Sequence, residues 1–508
     1  MNETEWRIAE VQKGHQRTLS DDDFQKGVRR ITGLLEGLGL PEEGRVALFM
    51  DNCIENFQLR MACVGLKLQP VLINIHFTAS EISYILRDCQ AQALFALGSH
   101  AKVLKEATNG FVDLQGRIFL SSYQGSTFHN FQDALSQSPE AHRPWHELPR
   151  SIIYTSGTTG NPKGVVRQPA TDEDTQRVLN LFRNILELGN NPIHLVTGPL
   201  HHSGPMSWSN VAYMLGGKLV IMKRFDPELL LETVERFRVT NMHLVPTMMH
   251  RLLDLPEETK RRYDLSSLVS VQHGAAPCPP MTKTAMIKWW GPVIHEYYGS
   301  TEAGLVTYIK ALESQARPTS VGRVSEEDFS VKIVHPDGQE LPPFSVGDIW
   351  VKTSYASGFS YHNDPDKLER SMTGDFFKSG DMGYMDNEGF LYICDRRVDM
   401  IISGGVNIYP AEVEAALVQH PDIEDCAVIG VPNEEWGESV HAVIQTKHGL
   451  ELCLKDLQRF VGKDLARYKF PKTLQRVESL PRQTNGKIYK QKLRQGLDSQ
   501  DVTASPMS

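Results

Sequence analysis

Short apolar runs bounded by turn formers recur through the first half of the chain: GRVALFMDN, QALFAL, RSIIYTS, PIHLVTGPL, GKLVIM and NMHLVPT. Each is too short for a helix, and none keeps a strict polar and apolar alternation. That is the pattern of strands covered on both faces, as parallel sheets require. Helix-length stretches separate the runs; DDDFQKGVRRITGLLEGLGL, for one, spaces its apolar residues helically and closes on glycine. Alternation of this kind predicts an α/β fold with helices wound on both faces of its sheets.

Past about residue 318 the helices thin out, and RPTSVGRV, FSVKIVHPDGQELPPFSVGDIWVKT and GFLYICD read as short strands joined by Pro-Asp-Gly and Gly turns, a β-rich subdomain reaching to about 395. The charged junction DRRVDMIISGG then leads into a compact α/β segment, and DSQDVTASPMS reads as a loose tail. A chain of 508 residues needs more than one core. We place the boundary at 396–398, giving a large domain over 1–395, a hinge, and a small domain over 399–508.

Composition narrows the function. Hydrophobic residues make up 40% and charged residues 23%, an ordinary globular mixture. The amino terminus MNETEWRIAEVQKGHQ has no apolar leader, and no run is long and apolar enough to span a membrane, so a cytoplasmic location is expected. Seven scattered cysteines without C-x-x-C spacing support neither zinc nor a disulfide framework. A net charge of -9 argues against nucleic acid as a partner.

Chemistry concentrates in YTSGTTGNPKGVV, where an apolar strand runs directly into hydroxyl and glycine residues: Thr155, Ser156, Gly157, Thr158, Thr159 and Gly160, followed by Lys163. Backbone N–H groups can approach an anion there with no Cβ in the way, hydroxyls add donors, and Lys163 adds a point charge. Nucleotide phosphates are the expected anion. The loop is not a Walker A motif, since Gly164 follows the lysine. The plainer alternative is a surface turn.

This string resembles the phosphate loop of the adenylate-forming superfamily, which includes acyl-CoA synthetases, peptide-synthetase adenylation domains and firefly-type luciferases. The resemblance continues in order through GAAPCPP, EYYGSTEAG, KSGDMGYMDNEGFLYICDRRVDMIISGGVNIYPAEVE and PRQTNGKIYK. It implies an α/β fold with two stacked α/β sheets plus a β-barrel, then a small mobile α/β cap. It also implies a two-step reaction, in which a carboxylate attacks the α-phosphate of ATP and a thiol, that of CoA, then displaces AMP. By the same resemblance Glu302 is a magnesium ligand, Thr301 meets the α-phosphate, and Lys487 reaches over from the cap. Gly274, Ala275, Ala276, Tyr298 and Ile393 flank the adenine, while Asp381 holds the ribose beside Arg396. Gly404 and Gly405 line the thiol's tunnel, and Trp436, Tyr468 and Lys472 meet the far end of CoA.

Two departures stand out. Val398 occupies the position where many relatives carry a hinge Asp or Lys, and Phe470 stands where some carry Arg. The amino terminus also looks shorter than in many relatives, lacking opening strands before TLSDDDF, which bears on stability or a homodimer contact. For the acid, GPLHHSGPMSWSN places His202 at the family's histidine, as a gate for the carboxylate or as a satisfied buried side chain, with His201 in place of an aromatic. It offers no Asp to pair an amine. Gly274, Gly299 and Gly304 leave room, and Trp208, Met206, Met214, Met248 and Met249 offer apolar walls or serve as core. The expected substrate is an apolar carboxylic acid of medium to large size, fatty or of alicyclic steroid or terpenoid type. The open alternatives are a carrier-protein pantetheine as acceptor, or only one half-reaction in this chain.

Overall fold

The computed structural model describes residues 6–144, 151–155, 162–167, 171–187, 192–324, 329–352, 358–404, 406–463, 465–482 and 486–498. Two large sheets form the body. One has nine strands in the order Arg323–Val324, Gly304–Ile309, Ile294–Ser300, Ser270–His273, Asn241–Leu244, Ile193–Val196, Lys218–Met222, Trp6–Gln12 and His15–Ser20. Its middle is parallel and both its ends are antiparallel. The other has eight, in the order Phe359–Tyr361, Lys163–Arg167, Ile152–Thr155, Gln69–Leu72, Arg45–Phe49, Ala93–Leu97, Ile118–Ser121 and His129–Asn130.

Helices Asp21–Gly37 and Ile54–Gly65 lie between the sheets. The first begins where it does because the Ser20 side chain accepts from Asp23 N and three aspartates occupy its first turn, a cap and a dipole match together. Its inward face delivers Phe24, Val28, Ile31 and Leu35 to a core that also takes Leu48 and Phe95 from one sheet and Leu219 and Ile221 from the other. Burying side chains of this size stabilises by about 1.5–3 kcal/mol each, so this shared core joins the sheets into one body.

The expected absence of opening strands is corrected. Trp6–Gln12 and His15–Ser20 form a hairpin through Gly14, whose φ of 73° suits its turn. Trp6–Gln12 also pairs in parallel with Lys218–Met222 and buries Ile8 and Ala9 completely. The polar residues Arg7, Glu10 and Gln12 between these apolar ones hid the strand.

The β-rich stretch forms a five-stranded sheet: Ser330–Val334, Gly347–Lys352, Phe376–Met385 and Met372–Thr373, with Leu391–Arg396 also on Phe376–Met385. Phe359–Tyr361 leaves this group for the eight-stranded sheet, and helix Pro365–Ser371 follows it. The small domain has its own five-stranded sheet, with Val406–Ile408, Ile401–Ser403, Gly437–Thr446, Ile423–Asn433 and Thr473–Val477. Its core of Ile401, Val413, Leu417, Val428, Ala442 and Leu457 is separate from the large domain's, which makes it a domain by itself.

Candidate active site

Two antiparallel hairpins set the site. In the first, Ile152–Thr155 pairs with Lys163–Arg167 and Thr155 sits opposite Lys163. Ser156, Gly157, Thr158, Thr159 and Gly160 lie outside the described residues. Lys163 Nζ stands 3.6 Å from Asp364 Oδ2. In the second, Ile294–Ser300 pairs with Gly304–Ile309. A Cβ on Gly299 would lie 2.1 Å from the Gly304 carbonyl oxygen, and Gly304 has a φ of 71°. Both glycines are therefore required by the hairpin backbone itself, apart from any room they leave for a substrate.

The turn of the second hairpin carries Thr301 and Glu302. Arg167 donates to the Thr301 carbonyl and ties the two hairpins together. The Thr301 hydroxyl is 3.1 Å from Ser203 Oγ, and Glu302 Oε1 accepts from the Tyr361 hydroxyl at 3.2 Å. Among the described residues no group of three His, Cys, Asp or Glu could hold a metal ion. Magnesium bound to a nucleotide needs no such cage, since phosphate oxygens and water complete its octahedron around one or two carboxylates. Glu302 fits that part, and the chemistry magnesium supplies when bound is charge neutralisation at the phosphates.

Beside it, the Tyr298 hydroxyl donates to Asp381 Oδ2 at 2.6 Å. Asp381 and Arg396 face each other across paired strands, with Arg396 Nε 3.5 Å from Asp381 Oδ1. Arg396 is 54% exposed, so the pair contributes about 0–1 kcal/mol to stability and leaves both groups available to a ligand. Ala275 takes a φ of 67°, which turns the GAAP stretch and its Gly274 and Ala276 sharply at the end of strand Ser270–His273. Ile393 packs among Val331, Ile349 and Leu391 in the five-stranded sheet's core.

Lys487 is brought into this setting from the small domain. Burial first, and the Arg396 charge after it, lower its pKa to about 8 against the opposing pull of Asp381 and Glu302. It also depresses His202. The cap therefore sits with its lysine among the carboxylates of the large domain. The neighbouring Gly486 is pressed so close that a Cβ there would lie 2.5 Å from Thr247 Oγ1. At the junction Arg397 N donates to the Gly380 carbonyl at 3.0 Å, the Arg397 guanidinium grips Asp348, and Arg494 reaches Asp399 at 2.9 Å. Val398 projects 60% exposed between them.

On the opposite side lies an aromatic wall. The His201 and His202 rings meet at 4.4 Å, tilted by 57°, and burial keeps both neutral, His202 at about 4 and His201 well below its ordinary value. Trp208 is 2% exposed and packs edge-on against Phe182 at 4.7 Å and Tyr297 at 5.6 Å. Tyr297 hydrogen-bonds His243 Nε2 at 3.0 Å, and burial lowers that histidine to about 3. The room expected beside Gly274 is taken by Tyr297: a Cβ on Gly274 would lie 2.7 Å from its ring, and one on Gly204 would lie 3.1 Å from its hydroxyl. Met248 packs on the nine-stranded sheet's outer core with its methyl group near Gly198.

On the cap, Gly404 has a φ of 58° and donates to the Trp436 carbonyl at 2.8 Å, with the indole lying against it. Gly405 lies outside the described residues. Trp436 and Tyr468 are each 49% exposed, and Lys472 is exposed on the same small domain. Phe470 points into the cap core.

Sequence reading missed Tyr297, His243, Tyr361 and Lys367. A signal existed for the first: adjacent strand residues point to opposite faces, so assigning Tyr298 to the nucleotide side puts Tyr297 on the other. His243, Tyr361 and Lys367 come from separate segments, and only the fold brings them to the site.

The arrangement combines a hairpin that carries Lys163, a carboxylate able to take a hard cation, an Asp–Arg pair and a lysine from the small domain. Comparison with known proteins agrees. The family model described as AMP-binding enzyme matches residues 2–358, and that of the AMP-binding enzyme C-terminal domain matches residues 412–487. An indoleacetate–CoA ligase of Aromatoleum aromaticum is 30% identical over 488 residues, 94% of this chain and 93% of its own. A medium/long-chain-fatty-acid–CoA ligase of Mycobacterium tuberculosis is 34% identical over 358 residues, 68% of this chain and 60% of its own. In structure, the o-succinylbenzoate CoA synthetase of Bacillus subtilis, in complex with its acyl-adenylate intermediate, is similar with a TM-score of 0.83 at 26% identity, over 98% of this chain and 96% of its own. With its two matched domains in the family's order, the chain belongs to the AMP-binding enzyme family, as an adenylate-forming acid–thiol ligase that works with ATP, magnesium and CoA.

Proposed function

We propose that this ligase activates an apolar carboxylic acid of medium to large size, fatty or alicyclic, as its acyl-adenylate and passes the acyl group to CoA. The observation that supports the choice of acid is the uncharged surroundings of Trp208 and Tyr297, with the neutral histidines His201, His202 and His243 and the Met248 methyl group near Gly198. Uncharged groups of this kind accept apolar bulk and give a second carboxylate no charge to pair with. Of the relatives named above, one is an indoleacetate–CoA ligase and one a medium/long-chain-fatty-acid–CoA ligase, each for an acid with a single carboxylate, while the third is a synthetase for o-succinylbenzoate, which carries a second carboxylate.

In the first half-reaction Lys487 and Thr301 face the α-phosphate and stabilise the charge that grows there. Glu302 would hold magnesium, and Asp381 with Arg396 would orient the ribose. His202, neutral and next to Lys487, orients the carboxylate. In the second half-reaction the cap turns about 396–398, withdrawing Lys487 and bringing Gly404 and its neighbour Gly405 to the entry of the thiol, with Trp436, Tyr468 and Lys472 toward the nucleotide end of CoA.

The test is mass-spectrometric detection of AMP and acyl-CoA from enzyme supplied with ATP, magnesium and CoA across fatty, aromatic, steroid and terpenoid acids. Turnover with an apolar group names the substrate. Turnover confined to short or dicarboxylic acids overturns the choice of acid, and thioester formed only from preformed acyl-adenylates would assign the chain the second half-reaction alone. A carrier-protein pantetheine in place of CoA is the remaining acceptor, shown by acylated carrier without acyl-CoA.

A further inference from the structure

Strand Phe359–Tyr361 lies antiparallel to Lys163–Arg167, with Tyr361 opposite Val165. Lys163 and Val165 are two apart and so share a face; Tyr361 and Lys163 thus stand together at one end of the eight-stranded sheet. Helix Pro365–Ser371 starts immediately afterwards. Its cap, Asp364, accepts from the Lys367 backbone N–H at 3.1 Å, which fixes Lys367 in the first turn. From there the Lys367 ammonium reaches back over the Tyr361 ring, 3.8 Å from its centroid.

Three features make this more than a lysine stacked on an aromatic. The Lys163 ammonium lies beside that of Lys367, and like charges placed together repel unless an anion lies between them. The nearby carboxylate, Asp364, is already engaged by its helix cap, by Lys163 at 3.6 Å and by Arg370 at 3.8 Å. And Tyr361, under Lys367, donates its hydroxyl to Glu302. Glu302 thus lies within electrostatic reach of both Lys487 and Lys367.

We infer that Lys367, together with Lys163, receives the pyrophosphate released when the acid is adenylated. The proposal rests on the ligase reading and adds a residue to it. In the step concerned a carboxylate oxygen forms a bond to the α-phosphorus. The bond from that phosphorus to the oxygen bridging to the β-phosphate breaks, and its electron pair leaves on pyrophosphate. Charge therefore builds on the leaving group, and a second ammonium held on a buried aromatic ring meets it without having to be reorganised.

The test is calorimetric titration of the whole chain with inorganic pyrophosphate and magnesium, beside AMP as a ligand that does not reach this pair. Lys367→Met is expected to weaken pyrophosphate binding about 10-fold or more while AMP binding stays within about twofold, and Lys367→Arg is expected to restore most of the loss. Unchanged pyrophosphate binding in Lys367→Met overturns the proposal. So does equal loss of both ligands, which would mean that Lys367 holds the fold and not the anion. A native chain that binds neither AMP nor pyrophosphate would remove the ligase reading itself, a failure separate from that of Lys367.

Discussion

Lys487 is useful to adenylation only while it carries its proton, because a neutral amine does nothing for charge growing on a phosphate. Its folded pKa of about 8, lowered by burial and by Arg396, sets the sign. As pH rises through about 8 the free enzyme loses the cation, so kcat/KM for adenylation falls on the alkaline side. Pyrophosphate exchange measured from about pH 6.5 to 9.5 should show that descending limb, and Lys487→Arg should shift it upward because a guanidinium stays charged. A flat native profile would count against this reading of Lys487. Lys487→Ala is expected to lower adenylation by about 10²- to 10³-fold yet still convert preformed acyl-adenylate and CoA; loss of both steps would mean that the lysine serves both. Tyr297 is the residue to change for substrate choice. Tyr297→Phe removes the hydrogen bond to His243 at a cost of about 1 kcal/mol. Tyr297→Ala opens space between Gly204 and Gly274 and should move kcat/KM toward bulkier acids by about 10-fold or more. Competition between a short and a bulky acid measures it, and an unchanged ratio would place Tyr297 outside the substrate's path.

At the scale of elements, the hairpin of Ile294–Ser300 with Gly304–Ile309 is held by a backbone requirement that no side chain can satisfy. A Cβ at position 299 meets a carbonyl oxygen of the partner strand at 2.1 Å, and backbone cannot step aside as a flexible side chain does. Gly299→Ala should therefore destabilise by roughly 1–3 kcal/mol and displace Thr301 and Glu302 as well. A lowered Tm together with weakened ATP binding is the expected result; a native Tm would show that the hairpin tolerates a wider spacing. The recurring apolar runs were legible as strands because burial on both faces leaves an unbroken apolar string. Trp6–Gln12 and Phe359–Tyr361 were not, because polar residues interrupt the first and the second is a three-residue edge strand, and each joins its sheet through a partner some two hundred residues away.

The whole molecule is caught with the cap over the site. Its swing is testable because the Cβ positions of residues 247 and 486 are 3.6 Å apart, within the span of a disulfide. The double variant Thr247→Cys, Gly486→Cys, oxidised, is expected to keep pyrophosphate exchange and to lose acyl-CoA formation, with reductant restoring it. Placing a side chain at Gly486, whose φ is 82°, costs about 1–2 kcal/mol, which lowers stability and leaves the comparison of oxidised with reduced enzyme intact. If the oxidised form still makes acyl-CoA, the thiol step needs no rotation about 396–398. Val398 itself is exposed, and the turn is held on either side of it by Arg397, through Asp348 and Gly380, and by Asp399, through Arg494, contacts that such a rotation has to break or carry along.

By itself the sequence determined the alternating sheets, the hydroxyl and glycine loop, and the order of Glu302, Asp381, Arg396 and Lys487, because periodicity and motif spacing are local properties that survive without coordinates. Tertiary structure decided what fills the acyl side and which cations face the leaving group. Tyr297 meets His243 over the intervening strand Ser270–His273, and Lys367 meets Lys163 across some two hundred residues of chain. Such contacts depend on strand register and sheet order, which are set by the packing of the whole core and leave no trace in the spacing of any one segment.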